Sequence, residues 1–597
     1  MAETRHPLYL IPALLFLIPV NIYTLGSGLG AGIQWALFRC QVTSGGVSHF
    51  SYTQDICLVV TQAIAGKSGI ALALWALSTL LLIGYFIVTV WAVTTGNTEV
   101  LRKNALTLIV CGTLFLVSDL VQYGFFLNGP GGFCIPVGIP LFFVLGIWGY
   151  SYGFSTDSKP GRVAQKKRLK KPEDIISRLQ SWSGLQLSGE VVTLVLISFI
   201  VRVIAFFSGL LPNLPLSVIL GDTKLYYWYA TSVTWGQVPY SSYYVPYPQF
   251  FFIPLFIALI PALLVKAYTV YLFSFATLMI IVDTANLVLV YLIAGKLWDK
   301  DRAFLCGLLY ATAVSAAFFI PITYDALPSF FLLLSLLLYL NRSQVAGYLL
   351  ATAGVLTKWF PFFAFPYYLL HGLKTGKQWR DFRKPLLLSG ILVLITVLPF
   401  FLINAEGALK TYTVHFGRVA EVNSSICYLD TICTALTGLA LFQSLSLLLV
   451  IIGELALLYW YYRSPGLRPH ALIGCIFLSI FVFVIFNKVF STNYIIWLTP
   501  FFALFLSGNV RHILLFYAVQ AVMYLETPVL FGIVYAPFNL GYDAVTSYRV
   551  LNDSFPSLAF LFYTLKFSLL ALVFWVIARD IRRNVLIAEP EQSSLPA

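Results

Sequence analysis

Residues 268–295 read YTVYLFSFATLMIIVDTANLVLVYLIAG, and the only charged side chain in this run is Asp283. A helix needs about 20 such residues to cross the roughly 30 Å hydrocarbon core of a bilayer. Similar runs recur along the 597 residues, of which 59% are hydrophobic and 10% are charged. No soluble chain of this length could bury so much apolar surface, so lipid must be its solvent.

The same runs also indicate which membrane fold to expect. They are continuously apolar, whereas the strands of a membrane β-barrel alternate between apolar and polar residues. The mean hydropathy of +0.86 agrees with this reading. The sequence therefore predicts an all-α polytopic membrane protein with about sixteen helical spans and almost no soluble domain.

Basic residues predict how the chain is oriented. The net charge is +13, and segment 156–188 carries eight Lys or Arg against three acidic residues. A second basic loop lies at 373–385, and smaller basic turns include 296–302 and the C-terminal tail. Because Lys and Arg collect in cytoplasmic loops, and all these segments can face one side at once, we expect both termini to be cytoplasmic.

These spans and loops divide the chain into four parts. We expect an N-terminal module of unknown role (1–155) with spans at 8–27, 69–94, 105–127 and 133–155. A basic cytoplasmic linker (156–188), a larger module (189–578) and a cytoplasmic tail (579–597) follow. The spans of the larger module are expected near 191–211, 268–295, 303–322, 326–341, 345–357, 359–371, 386–404, 433–460, 471–487, 493–507, 513–533 and 559–578.

One stretch, 249–266, could span the membrane or lie in its outer interface. The spanning reading requires 345–372 to be a single helix, which places Lys358 in mid-membrane at a cost of at least about 2.5–3.5 kcal/mol. The interfacial reading makes 345–371 a short hairpin with Lys358 at its outer tip. We therefore prefer the interfacial reading.

The first outer loop of the larger module holds the most unusual residues. Asp222 precedes an aromatic segment that includes Tyr226, a Gly-x-x-Pro-Tyr turn that ends at Tyr240, and a Tyr-Pro pair at Tyr247. Glycine and proline set the backbone of such a turn. By itself, Asp222 could equally be a cap of the helix that follows.

These elements together resemble the first luminal loop of the GT-C glycosyltransferases, membrane enzymes that use polyprenyl-phosphate sugars. Leu356-Thr-Lys-Trp-Phe-Pro361 looks like the Lys-x-x-Pro hairpin of that superfamily. Residues 486–497, FNKVFSTNYIIW, are similar to a stretch of the mannosyltransferase that adds the first mannose in GPI-anchor synthesis, although Asn493 stands where Gln is usual. Tyr324-Asp325-Ala326 resembles a Gln-x-Asp element of prokaryotic relatives, with Thr323 in place of Gln. The resemblance covers roughly 189–578.

The resemblance implies roles for individual residues. Asp222 would be the catalytic base for an incoming hydroxyl, and Lys358 and Lys488 would bind the donor phosphate. Arg202 could assist them, although snorkelling to the interface is the simpler explanation. Asp325 could orient the acceptor or a metal, or merely cap a helix. The residues expected to bind acceptor or donor are Asp325, Tyr226, Tyr240, Tyr247, Asn493 and Tyr494.

The sequence thus predicts an integral-membrane glycosyltransferase that moves a sugar, most simply mannose, from a polyprenyl-phosphate donor to a lipid-linked or glycan acceptor at the exoplasmic face. A transporter or lipid flippase is the alternative, but no internal repeat supports it. We expect no nucleic-acid partner and assign no cofactor; a divalent metal is possible but unsupported, because Asp222 has no Asp-x-Asp or His cluster nearby. The N-terminal module could bind a protein partner. The expected location is the cell membrane, or the endoplasmic reticulum in a eukaryote.

Two smaller features remain open. Cys40 with Cys57, and Cys427 with Cys433, could each close a disulfide outside the cytosol, or all four could be free thiols. The sequons at Asn423 and Asn552 lie outside in this topology and could be glycosylated in a suitable host.

Overall fold

A computed structural model gives the fold of this chain as all-α and polytopic, with one small sheet near the N-terminus. The all-α polytopic class predicted from the sequence is confirmed. The residues that the structure describes are 15–16, 18, 20–25, 30–36, 39–43, 48–51, 67–95, 97–123, 128–129, 132–151, 189–209, 221–265, 267–414, 417–464, 468–530 and 556–586. The linker 156–188 and the sequon at Asn552 lie outside them.

The N-terminal module combines a sheet with helices. The strands are β1 (Asn21–Leu25), β2 (Gly30–Gln34), β3 (Arg39–Thr43), β4 (Ser48–Ser51), β5 (Asn128–Gly129) and β6 (Gly132–Ile135). They pair antiparallel in the order β4-β3-β2-β1-β6-β5. The helices are α1 (Lys67–Thr95), α2 (Thr98–Tyr123) and α3 (Ile139–Ser151).

The sheet corrects two predicted spans. A helix over 8–27 is wrong, because Asn21–Leu25 pairs with Gly30–Gln34 as an antiparallel hairpin. The predicted span 133–155 is a strand at its start and becomes helical only at Ile139. Tyr, Ile and Thr in β1 favour extended backbone, and an apolar run of this length does not distinguish a strand from a helix.

In the larger module the described regular elements are helices, joined by turns and loops such as 235–248 and 417–424. Its helices are α4 (Gly189–Gly209), α5 (Gly221–Thr234), α6 (Phe252–Val265), α7 (Tyr268–Leu297), α8 (Lys300–Ala311), α9 (Val314–Phe319), α10 (Ala326–Leu340), α11 (Gln344–Thr357), α12 (Ala364–Lys374), α13 (Trp379–Ile403), α14 (Ala405–Thr413), α15 (Ser425–Thr437), α16 (Phe442–Arg463), α17 (Pro469–Phe486), α18 (Ile495–Phe505), α19 (Val510–Tyr524) and α20 (Pro556–Leu586). Short 3₁₀ turns precede α6, α12 and α18, at 249–251, 360–363 and 492–494.

Eight of the described helices are long and apolar enough to cross a membrane, namely α1, α2, α4, α7, α13, α16, α17 and α20. Shorter apolar helices account for several of the other predicted spans. The predicted span 433–460 is interrupted at Gly438, whose φ of 76° ends α15. The predicted span 303–322 breaks between α8 and α9, at Thr312 and Ala313.

The helix α7 defines two ends of the bundle, roughly 45 Å apart at 1.5 Å per residue. At its first residue, the hydroxyl of Tyr268 lies 2.7 Å from that of Thr223 in α5. Just beyond its other end, Lys300 Nζ lies 3.5 Å from Glu190 and Arg302 Nε lies 3.1 Å from Ser507 Oγ. The described basic turn at 296–302 is therefore at the end opposite α5, as the sequence predicts.

The hairpin predicted around Lys358 is confirmed. The ring of Tyr348 in α11 lies 5.6 Å from that of Phe365 and 5.5 Å from that of Tyr368, both in α12. A single continuous helix would separate these residues by roughly 25–30 Å. The chain reverses at Lys358, whose extended backbone (φ −159°, ψ 149°) ends α11.

One hydrophobic core joins the two modules. Buried residues of α1 to α3, of α4 to α13 and of α16 to α20 belong to a single packed cluster. A satellite cluster of Ala92, Val93 and Leu101 packs against Val510 at the start of α19. The N-terminal module is therefore attached to the bundle through α19.

Six cysteines are free thiols in the structure, namely Cys111, Cys134, Cys306, Cys427, Cys433 and Cys475. Both residues lie on α15, six positions apart, so their side chains point in different directions. A disulfide between them is wrong for this structure. Cys57 lies outside the described residues.

Candidate active site at the end of the bundle

Segments that are far apart in the chain meet at the end of the bundle that contains α5. Asp325 precedes α10, Lys358 lies at the tip of the α11–α12 hairpin, and Asn493 lies in the turn before α18. Asp222 lies in the first turn of α5. The structure therefore brings together most of the residues that the sequence selects.

Asp325 is the centre of this cluster. Its Oδ1 accepts hydrogen bonds from Lys358 Nζ at 2.5 Å and from Trp497 Nε1 at 2.7 Å. Its Oδ2 accepts one from Asn493 Nδ2 at 2.7 Å. The carboxylate is fully buried and both its oxygens are engaged. Asp325 therefore fixes neighbouring side chains; its side chain makes no capping hydrogen bond to α10.

Aromatic rings enclose the ammonium group of Lys358. Its Nζ lies 4.9 Å from the ring centre of Tyr324, 5.4 Å from that of Tyr494 and 4.8 Å from that of Trp497. Such contacts favour a cation over the face of a ring. With its side chain 13% exposed, Lys358 is held in one place by Asp325 and these three rings.

Asp222 differs from Asp325 because its carboxylate is unengaged. The side chain is accessible to solvent, and it makes no hydrogen bond or ion pair with the described residues. Surrounding protein nevertheless raises the pKa of Asp222 to about 6; the Lys358 charge opposes the rise and the Asp325 charge adds to it. Asp222 thus combines an accessible carboxylate with a raised pKa. A carboxylate of this kind can accept a proton.

Three tyrosines pack against one another within electrostatic reach of both carboxylates. The ring of Tyr324 lies 5.9 Å from that of Tyr226 and 5.2 Å from that of Tyr247. The charge of Asp222 reaches the hydroxyls of all three, and so does that of Asp325. Tyr226 and Tyr324 are each 1% exposed, so this packed cluster fixes Tyr324 beside Asp325.

Tyr240 shapes the loop that carries Tyr247. It adopts a positive φ of 65°, uncommon for a residue with a side chain, directly after a turn opened by Gly236 at φ 79°. Its hydroxyl donates to the carbonyl of Tyr247 at 2.8 Å. Tyr240 thus positions Tyr247, while its own ring packs 4.9 Å from that of Phe400.

Arg202 lies elsewhere, which corrects the phosphate-binding expectation. Its side chain is fully buried, and its Nε donates to Asp283 Oδ2 at 2.8 Å. Its Nη atoms donate to the carbonyls of Ala311 and Tyr310, and the Tyr310 hydroxyl donates to Asp283. A guanidinium with these partners neither snorkels to the interface nor faces a lipid phosphate. Arg202 fastens α4 to α7 and α8.

Lys488 also stays outside the cluster. Its carbonyl accepts a hydrogen bond from the amide of Glu421 at 2.8 Å. Within the described part of the chain, its ammonium group makes no hydrogen bond or ion pair. The charges that act on Asp222 are those of Lys358 and Asp325. Of the two predicted lysines, Lys358 thus lies within electrostatic reach of Asp222.

Sequence reasoning did not select Trp497 or Tyr324 as site residues, although both touch Lys358. A spacing signal existed for Trp497, because it follows Asn493 by four positions and so shares a helix face with it. Tyr324 is adjacent to Asp325, and neighbours at a turn give no comparable signal.

The described residues contain no group of three or more His, Cys, Asp or Glu side chains that could hold a metal ion. Comparison with models of known protein families finds no match, and comparison with curated proteins finds no relative. The function of this protein is therefore inferred from the geometry of this site and from the motifs that form it.

Proposed function

We propose that this protein is an integral-membrane glycosyltransferase of the GT-C type, which transfers a sugar from a polyprenyl-phosphate donor to an acceptor hydroxyl. One observation carries the proposal. An unengaged, accessible carboxylate, Asp222, lies within electrostatic reach of the fixed ammonium group of Lys358. The packed cluster of Tyr226, Tyr247 and Tyr324 lies within electrostatic reach of both Asp222 and Asp325.

The proposed step is a displacement at the anomeric carbon. The acceptor oxygen forms a bond to that carbon while the bond between the carbon and the phosphate oxygen breaks. The hydroxyl proton passes to Asp222, which must be ionised to accept it. The lipid phosphate leaves with the bonding electron pair, and the nearby positive charge of Lys358 stabilises it.

Three further elements of the proposal come from the sequence. Mannose is the proposed sugar, because residues 486–497 resemble a mannosyltransferase. The end of the bundle with Asp222 is proposed to be exoplasmic, because basic turns lie at the other end. The N-terminal module is proposed to bind a protein or lipid partner, with the membrane as its setting.

A transfer assay tests the proposal. Purified protein is incubated with radiolabelled polyprenyl-phosphate mannose, or with the glucose or galactose donor, and with lipid acceptors. We expect transfer by the wild type and a loss of about 10²–10⁴-fold in Asp222→Asn, because a positioned base contributes that much. Asp430→Asn is the matched control: Asp430 accepts from the amides of Phe442 and Gln443, outside the site.

The outcomes separate the candidate functions. Transfer that Asp222→Asn leaves undiminished would remove Asp222 from catalysis. No transfer from any donor, together with accelerated movement of labelled lipid across liposome membranes, would favour a flippase over an enzyme.

A further inference from the structure

Lys566 and Glu526 form a buried ion pair that the proposed reaction does not use. Lys566 lies in α20, about 15 Å from the first residue of this helix at 1.5 Å per residue. Its Nζ lies 2.8 Å from both carboxylate oxygens of Glu526, which follows α19, and the two side chains are 1% and 2% exposed. A charged side chain inside a span is costly and therefore points to a task beyond packing.

The other contacts of Lys566 lead to the loop that precedes α15. Its Nζ donates to the carbonyl of Asn423 at 3.1 Å and lies 4.0 Å from the ring centre of Phe490. The side chain of Asn423 in turn donates to the carbonyl of Phe490 at 2.9 Å. Asn423 therefore links the ion pair to the backbone at Phe490.

The backbone at this point is not helical. The extended segment (487–491) connects the end of α17 to the turn before α18. An extended backbone makes few internal hydrogen bonds, so its carbonyls need other partners wherever water is excluded. The support loop (421–425) supplies them. Besides the bond from Asn423, the amide of Glu421 donates to the carbonyl of Lys488 at 2.8 Å.

The extended segment leads directly into the candidate site. The turn that follows it carries Asn493, and α18 carries Trp497. Both side chains donate to the carboxylate of Asp325, which also binds Lys358. A displaced segment would therefore disturb Asp325 through two hydrogen bonds. A shift of about 1 Å at a reacting group can cost about a hundredfold in rate.

We propose that the buried pair of Lys566 and Glu526 positions the candidate site by holding the extended segment in place. Through the support loop, the pair keeps Asn493 and Trp497 where they donate to Asp325. A pair that only joined α19 to α20 would not need the bond from Lys566 to the support loop. The inference concerns the geometry around Asp325, and it rests on the proposed function only for its effect on sugar transfer.

The main test measures amide hydrogen exchange and needs no sugar transfer. Full-length protein in nanodiscs carries Glu526→Gln together with Lys566→Met, because the loss of one partner alone leaves a buried charge and can prevent folding. Peptides that cover 417–425 and 486–497 should exchange about tenfold faster than in the wild type, as expected for the loss of one hydrogen bond. Peptides from α7 should exchange at the wild-type rate.

Two further variants locate the effect. Arg202→Met with Asp283→Asn neutralises the other buried ion pair and should leave the exchange of both peptides unchanged. Asn423→Ala keeps the pair of Lys566 and Glu526 but removes the side-chain bond to Phe490. The same two peptides should then exchange faster, although both charges remain.

The transfer assay supplies a second measurement. At a temperature at which it is folded, the double variant of Glu526 and Lys566 should lose about tenfold to a hundredfold in kcat. The folded fraction of the double variant of Arg202 and Asp283 should keep the wild-type kcat.

The outcomes distinguish a positioning role from a merely structural one. Unchanged exchange in both peptides, exchange that rises by one factor throughout the protein, or a wild-type kcat despite faster exchange would each overturn the positioning role. Faster exchange confined to the two peptides, in a protein whose wild type transfers no sugar, would leave the effect on Asp325 standing and defeat the glycosyltransferase proposal.

Discussion

Lys358 Nζ lies 2.5 Å from Asp325 Oδ1, and the two residues are brought together from the tip of one hairpin and the start of another helix. Asp222, the other carboxylate of this cluster, makes no hydrogen bond or ion pair with the described residues. Because one acid binds the lysine directly and the other does not, the two acids have different tasks. Asp325 holds the cation in place, and Asp222 is free to take a proton.

The raised pKa of Asp222 sets a pH dependence. A base works only when ionised, and protein surroundings raise this pKa to about 6. Transfer should therefore fall about tenfold per pH unit below pH 6 and level off above it. The measurement is kcat/KM against pH from 4.5 to 8 in nanodiscs, and a rate that is flat through pH 6 would exclude Asp222 as the base.

Lys358→Met should move this pH profile. The lysine charge lowers the pKa of Asp222, so its removal should shift the acid limb to higher pH and reduce the maximum rate. Lys358→Arg keeps the charge and is the control for the shift. A profile that keeps its midpoint in Lys358→Met would show that the two residues are not coupled.

Trp497→Phe isolates one hydrogen bond of Asp325. The Trp497 ring stacks on Phe360 at 4.4 Å and on Tyr494 at 3.9 Å, and phenylalanine can keep this packing while it loses the Nε1 donor. We expect the free energy of unfolding to fall by about 1.5–3 kcal/mol, the usual contribution of a hydrogen bond to a charged group. Thermal unfolding in detergent measures it, with the exposed Trp379→Phe as control. An unchanged melting temperature would contradict the assigned bond.

Arg202 and Asp283 form a buried ion pair that stabilises the fold and lies outside the candidate site. Arg202→Met should destabilise the protein by about 3–5 kcal/mol, because it leaves a buried carboxylate without its cation. Arg202→Met combined with Asp283→Asn should recover part of that loss. The KM for the donor, measured on the folded fraction of each variant, should equal that of the wild type. A stable Arg202→Met protein with a raised donor KM would restore the phosphate-binding role.

The sequence predicted the helical membrane fold and most of the clustered residues for different physical reasons. Hydropathy runs locate spans, and a resemblance in motif order selected Asp222, Asp325, Lys358 and Asn493. Apolar periodicity does not tell a short strand from a helix, so β1 was missed. The partner of Arg202 lies 81 positions away, and tertiary packing alone brings the two together.

Asn423 gives a last prediction, on modification. Its side chain is 3% exposed, and its Nδ2 donates to the carbonyl of Phe490 at 2.9 Å, so the amide that would carry a glycan is buried and engaged. We expect no mobility change on endoglycosidase treatment of an Asn552→Gln variant made in a glycosylating host. The wild type is the positive control, because Asn552 lies in a loop predicted to be outside. Endoglycosidase treatment could instead change the mobility of Asn552→Gln. If the added substitution Asn423→Gln abolished that change, the chain would be glycosylated at Asn423 before the contact with Phe490 forms.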